Sequence, residues 1–168
     1  MNANKRILIA VDASEASDRA VTYVAQIIAG QPDLHVLLFH VPAPMPPRHI
    51  EFGGREHPVA EEHTQTALHT TRDTWVEQAK HMAQPVFARA QTLLRRGAVP
   101  EQAVETQIAT PVSGQTLDAS ILEVAQREQC GTVVVGRTDW SWLQELWQQH
   151  VAEKLLPEAQ GLALWVVQ

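Results

Sequence analysis

Apolar residues along this chain fall into two kinds of run. Short unbroken stretches rich in β-branched residues alternate with longer stretches in which apolar positions recur every three or four residues. Ile7 to Val11 follows Arg6 as an unbroken run, the form taken by a parallel strand covered on both faces. Asp12-Ala13-Ser14 then offers helix-capping side chains. Ala16, Ala20, Val21, Val24, Ile27 and Ile28 keep helical spacing until Gly30. His35 to Val41 is a second buried strand, ended by Pro42. The opening is a βαβ unit.

Pro42 to about Thr71 contains a cluster of prolines, Gly53-Gly54 and many polar residues. It reads as a long loop, with a helical turn near Val59 to Ala67. Helical spacing returns through Trp75, Ala79, Met82, Val86, Ala90, Leu93 and Leu94 and ends at Arg95-Arg96-Gly97. Pro85 should kink or divide that helix. A weakly apolar strand follows at Gln102 to Ile108. Next come a helix at Gly114 to Gln126, with Leu117, Ile121, Leu122 and Ala125 on one face, and a core strand at Thr132 to Val135. Leu143 to Leu156 is helical, Pro157 to Gly161 breaks it, and Leu162 to Val167 is the last strand.

Five strands alternating with four helices predict an α/β fold, a Rossmann-like doubly wound parallel sheet with helices on both faces. No internal repeat or domain boundary is evident. Residues 1–168 read as a single domain with a loop insertion at about 42–72. In such sheets ligands bind beyond the strand carboxyl ends where strand order reverses, which makes Asp12 and the segment after Gly136 the first suspects.

Composition narrows the classes further. The 168 residues are 45% hydrophobic with a formal charge of −6, and the basic residues are scattered. A nucleic-acid binder needs a concentrated positive surface, so that class is disfavoured. No stretch reaches the ~20 apolar residues of a membrane span, and the first run is too short for a secretory signal. Cys130 is a lone cysteine with no disulfide partner in the chain. These features together lead to the expectation of a cytoplasmic protein. Cys130 itself reads as a small buried apolar residue rather than a redox switch.

Several groups have a chemical reading beside a plain one. His49, His57, His63 and His69 suggest a metal or pH sensor, but spacings of six and eight do not align them on one helical face. Without cysteines or clustered carboxylates to complete a set, no metal site is expected. The threonines between Thr64 and Thr74 offer phosphorylation sites, none singled out. Trp140, Trp142, Trp147 and Trp165 suit either a core or a partner surface. Trp147 is assigned to the core, and Trp140 and Trp142 stay open.

Ile7 to Asp12 followed by Ser14, Ser17 and Ala20 resembles the opening of universal stress proteins, a strand and then Asp-x-Ser-x-x-Ser-x-x-Ala. His40-Val41, Gly114 with Ile121 and Ala125, Val133 to Gly136, and Val151-Ala152-Glu153-Lys154-Leu155 continue the resemblance in order. It covers nearly everything outside 42–72. What it implies is strand order 3-2-1-4-5, an adenine-nucleotide site using Asp12, Val41, Val135, Gly136 and Val151, and a homodimer paired through strand 162–167. An edge as apolar as Leu162 to Val167 needs a cover of some kind.

Nucleotide-binding members of that family follow the fourth strand with Gly-x2-Gly-x9-Gly-Ser/Thr, whose glycines bring backbone N–H groups to the phosphates. Here Gly136 is followed at those positions by Asp139, Gln149 and His150. Asp139 opposes phosphate charge, Gln149 adds a side chain where close backbone approach is wanted, and His150 replaces a hydroxyl. Ser141 and Gln144 have capping-box spacing, and apolar positions continue helically to Leu155 without a glycine. The phosphate loop is thus expected to have become the start of an extended last helix. Asp12 then either contacts an adenosine group or caps the first helix.

The resemblance implies a non-enzymatic stress-response or regulatory protein that binds ATP weakly or not at all, with no cofactor. The alternative is a sensor of AMP, ATP or another small ligand that uses Asp12 and a remodelled phosphate loop. No Ser-Gly-Gly-x-Asp-Ser, His-x-Gly-His or Gly-Lys-Ser/Thr motif follows the first strand, so no enzyme is expected.

Overall fold

A computed structural model describes residues 5–42, 58–109, 117–136 and 161–168, with the backbone alone for 58–73, 75 and 118. The strands are β1 (Arg6–Ala10), β2 (His35–His40), β3 (Val104–Ile108), β4 (Thr132–Gly136) and β5 (Ala163–Val167). The helices are α1 (Glu15–Ile28), α2 (Pro58–Arg96) and α3 (Leu117–Arg127). All strand pairings are parallel, and the order is β3-β2-β1-β4-β5. The chain builds outward from β1 to β3, then returns past β1 to place β4 and β5. The reversal therefore lies between β1 and β4.

The central strands are unbroken apolar runs because both faces are covered. Ile7 and Ile9 pack with Val36, Leu38 and Val134 beneath α1 and α2. Leu8 faces the other way, with Leu37, Phe39, Val133 and Val135 against α3. Burying side chains of this size contributes about 1.5–3 kcal/mol each. Cys130 belongs to the α3 layer and is buried. Loss of solvation pushes its thiol up to about 11, against a smaller opposing effect of Arg6, while Glu128 and Glu105 add to the rise.

Helix α1 starts where the sequence supplies a cap. The Ser17 N–H donates to Ser14 Oγ at 3.1 Å, and Glu15 and Asp18 place acidic groups in the first turn. Ala16, Ala20, Val21, Val24, Ala25 and Ile28 form its buried face. Ile27, expected on that face, is 42% exposed.

Helix α2 differs more from expectation. It begins at Pro58 rather than after Thr71, and Pro85 does not divide it. The expected loop is thus replaced by helix from Pro58 onward, and its part at 43–57 lies outside the described residues. His63 and His69 fall within α2, whereas His49 and His57 lie outside the described residues. The buried stripe is Ala79, Ala83, Phe87, Ala90 and Leu94, while Met82, expected inside, is 73% exposed. Small alanines at the crossing bring α2 close to α1, and the Arg89–Asp18 ion pair joins the two helices.

Helices α2 and α3 both close in Schellman turns at the amino edge of the sheet. After α2, Val99 N–H donates to Leu94 O and Ala98 N–H to Arg95 O, with Ala98 at φ 60°. After α3, Cys130 N–H donates to Ala125 O, and Gln129 takes φ 53°. Gly97 does not fill the left-handed position. A β-carbon on it would meet Ala25 Cβ at 2.5 Å, so its lack of a side chain lets α2 end against α1.

Candidate functional site

The carboxyl ends of β1 and β4 meet the first turn of α1 at the point where strand order reverses. This is where open parallel sheets bind ligands, because strands and helix converge there and leave a crevice. A cleft of about 130 Å³ opens at this place, walled by Phe39, Val41, Leu117, Ile121 and Val135 and edged by Asp12. It is smaller than the roughly 300–1,000 Å³ of most small-molecule sites.

Asp12 is exposed and tied to the helix start. Its Oδ1 accepts from the Ser14 N–H at 2.9 Å and from the Ser14 hydroxyl at 2.5 Å. The Asp12 N–H donates to Ser17 Oγ at 3.1 Å. Ser17 is buried and Ser14 caps the helix, so Asp-x-Ser-x-x-Ser forms one closed network. The N-cap of α1 is Ser14 rather than Asp12, and the Asp12 carboxylate braces that cap through its two hydrogen bonds from Ser14.

His40 holds the same turn from the α2 side. Its Nδ1 lies 2.8 Å from the Val11 carbonyl oxygen, and its ring meets Phe87 edge-on with centroids 6.2 Å apart. A carbonyl oxygen can only accept, so the contact places a proton on Nδ1 of His40. Sequence reasoning found His40 as a resemblance but missed this tie. The alternation of β2, which sends Phe39 to the cleft and His40 to α2, was the signal for it.

Gly136 has a cause unrelated to any ligand. A β-carbon on it would stand 2.1 Å from Ala16 O, 2.3 Å from Ala16 C and 2.8 Å from Ser17 N. The end of β4 therefore presses directly on the backbone of the first turn of α1, and only glycine fits.

Of the expected nucleotide-site residues, the structure gathers Asp12, Val41, Val135 and Gly136 around this one cleft. Phe39, Leu117 and Ile121 join them as walls that the sequence reading had placed in the core or on a helix face. Asp139, Gln149, His150 and Val151 lie outside the described residues, as do Trp140, Trp142 and Trp147 and the expected last helix. Trp165 lies on β5, edge-on to Tyr23 of α1 with ring centroids 6.0 Å apart. Among the described residues, no group of three or more His, Cys, Asp or Glu is placed to hold a metal ion, and no helix is long and apolar enough to cross a membrane.

Comparison with known proteins agrees with this architecture. A universal stress protein from Burkholderia pseudomallei is 16% identical with a TM-score of 0.52, covering 99% of this chain and 98% of that one. The universal stress protein from Archaeoglobus fulgidus in complex with dAMP is 15% identical with a TM-score of 0.54, covering 97% of each chain. A universal stress protein in complex with cAMP is 17% identical with a TM-score of 0.51, covering 99% and 98%. These likenesses establish the fold. No curated protein matches the chain. The model of the universal stress protein family matches residues 3–161, so the chain belongs to that family.

Proposed function

We propose that this chain is a non-enzymatic stress-response or regulatory protein that binds ATP weakly or not at all. The observation that carries this reading is the run after Gly136, where Asp139, Gln149 and His150 replace two glycines and a hydroxyl residue. Backbone N–H groups hold phosphates only where the chain is free to approach them, and a carboxylate nearby opposes phosphate charge. Gly136 remains, but its contact with Ala16 accounts for it without a phosphate. Its presence thus gives no support to nucleotide binding.

Two further elements belong to the same reading. The protein acts in the cytoplasm, and it forms a homodimer through β5. Supporting the dimer, β5 is an edge strand, and Leu164 and Val166 are exposed on it.

A second reading keeps an adenine-nucleotide sensor. It is favoured by the surviving cleft beside Asp12 and by the dAMP and cAMP complexes of related folds. Native mass spectrometry of freshly purified protein separates the two. The first reading expects the bare polypeptide mass. A retained ATP mass contradicts it, and a retained AMP mass favours the second reading.

A further inference from the structure

Helix α2 is longer than the sheet it packs on. Its buried positions run from Ala79 to Leu94, and none of its side chains described before Ala79 is buried. It runs antiparallel to the strands, ending at Arg96 near the amino edge where β3 begins. The edge-on contact of His40 with Phe87 fixes the level of β2 against it. Two more residues carry the chain from His40 to Pro42, a rise of ~7 Å, which brings Pro42 level with Met82. From Met82 back to Pro58 the helix extends a further ~36 Å.

Residues 43–57 join Pro42 to Pro58 and have to cross that distance. Coiled as a helix they would cover only ~24 Å, and fully extended at most ~55 Å. A largely extended path beside the first half of α2 is therefore required. Pro44, Pro46 and Pro47 suit such a path, because polyproline II rises ~3.1 Å per residue.

The same half of α2 has an apolar line to cover. Leu68, Trp75 and Met82 recur every seven residues, so they share one side of the helix with a drift of ~20° at each interval. Met82, 73% exposed, stands beside the buried stripe of Ala79 and Ala83 rather than in it. A helix that packs against nothing is marginal in water. Spread along the rise, Met45 falls level with Trp75, and Ile50 and Phe52 fall near Leu68. Arg55 comes level with Glu61 and Glu62, so charge favours the same alignment.

We propose that residues 43–57 lie extended along the first half of α2, with Met45, Ile50 and Phe52 covering the line of Leu68, Trp75 and Met82. The cover is thus the chain itself rather than a second copy or another protein. This assignment does not depend on whether a nucleotide binds.

The test is hydrogen exchange of the full chain, read over residues 60–77. Protection is expected there in the wild type, at the same level across protein concentrations. Ile50→Asp combined with Phe52→Asp should speed that exchange by about tenfold or more, while the amides of β1 and β4 keep their rates. Met45→Asp gives a second variant should the pair fail to fold. In a Cys130→Ala background, Ile50→Cys with Leu68→Cys should form an intramolecular disulfide under mild oxidation, and Ile50→Cys with Met82→Cys should not. Unprotected amides over 60–77 in the wild type overturn the inference, and so does exchange that the substitutions leave unchanged. Protection that grows with protein concentration assigns the cover to a second copy and overturns it too.

Discussion

Gly136 at the end of β4 stands so close to Ala16 in α1 that an added β-carbon would lie 2.1 Å from the Ala16 carbonyl oxygen. The neighbouring atoms are backbone, so no side-chain rotation relieves the contact. Gly136→Ala should therefore destabilise the protein by about 1–3 kcal/mol or more, whether or not any ligand binds. Urea denaturation checks this. A midpoint unchanged from wild type would contradict the steric account of this glycine.

The end of α2 gives a pair of predictions of opposite sign. Gly97→Ala places a β-carbon 2.5 Å from Ala25 Cβ and should lower the unfolding midpoint. Ala98→Gly relieves a left-handed backbone at φ 60° and should raise stability by up to about 1 kcal/mol. Thermal melts of the two single variants are sufficient to distinguish them.

Ser14 closes the Asp12–Ser17 network and caps α1. Ser14→Ala removes both interactions and should cost about 0.5–2 kcal/mol. Hydrogen exchange resolves where the loss falls. Much faster exchange is expected at the Ser17 amide, whose acceptor is gone, while core-strand amides that exchange through global unfolding speed up only by the global loss of stability.

The Cys130 thiol ionises near 11 in the fold, above the ordinary 9.0. The native state thus holds its proton where the unfolded chain has released it. Its contribution to stability is complete below pH ~9 and is lost as pH rises through about 11, by up to about 2–3 kcal/mol. Cys130→Ala, compared with wild type from pH 8 to 11 by urea denaturation, should show a shallower decline. At pH 7.5 the buried thiol should react with iodoacetamide only after denaturant is added.

Much of the fold was legible because a parallel sheet covered on both faces writes itself as short apolar runs. Ile7 to Val11, Val36 to Phe39 and Val133 to Val135 are such runs, and all of their residues but the partly buried Ala10 are buried. The start of α2 was not legible, because residues from Pro58 onward carry no sustained apolar period, and proline and polar residues read as loop. Phe87 was overlooked and Met82 chosen for a similar reason: the neighbours on α2 are alanines, which mark a close helix crossing without a strong hydrophobic signal.

The described part of the candidate cleft was legible in four of its residues and not in its causes. Asp12 and Gly136 follow from the switch-point rule, and Val41 and Val135 from the family resemblance. That Gly136 is required by Ala16, or Gly97 by Ala25, depends on contacts between distant parts of the chain, which no local pattern carries. Phe39 and Leu117 as cleft walls likewise needed the sheet and α3 in place.

The central proposal is that this chain binds ATP weakly or not at all at the switch-point cleft. Isothermal titration of the purified full chain with ATP and magnesium tests this most directly. A dissociation constant weaker than about 1 mM, or no measurable heat of binding, is the predicted result. Saturable binding with a dissociation constant of about 10 μM or tighter would contradict it.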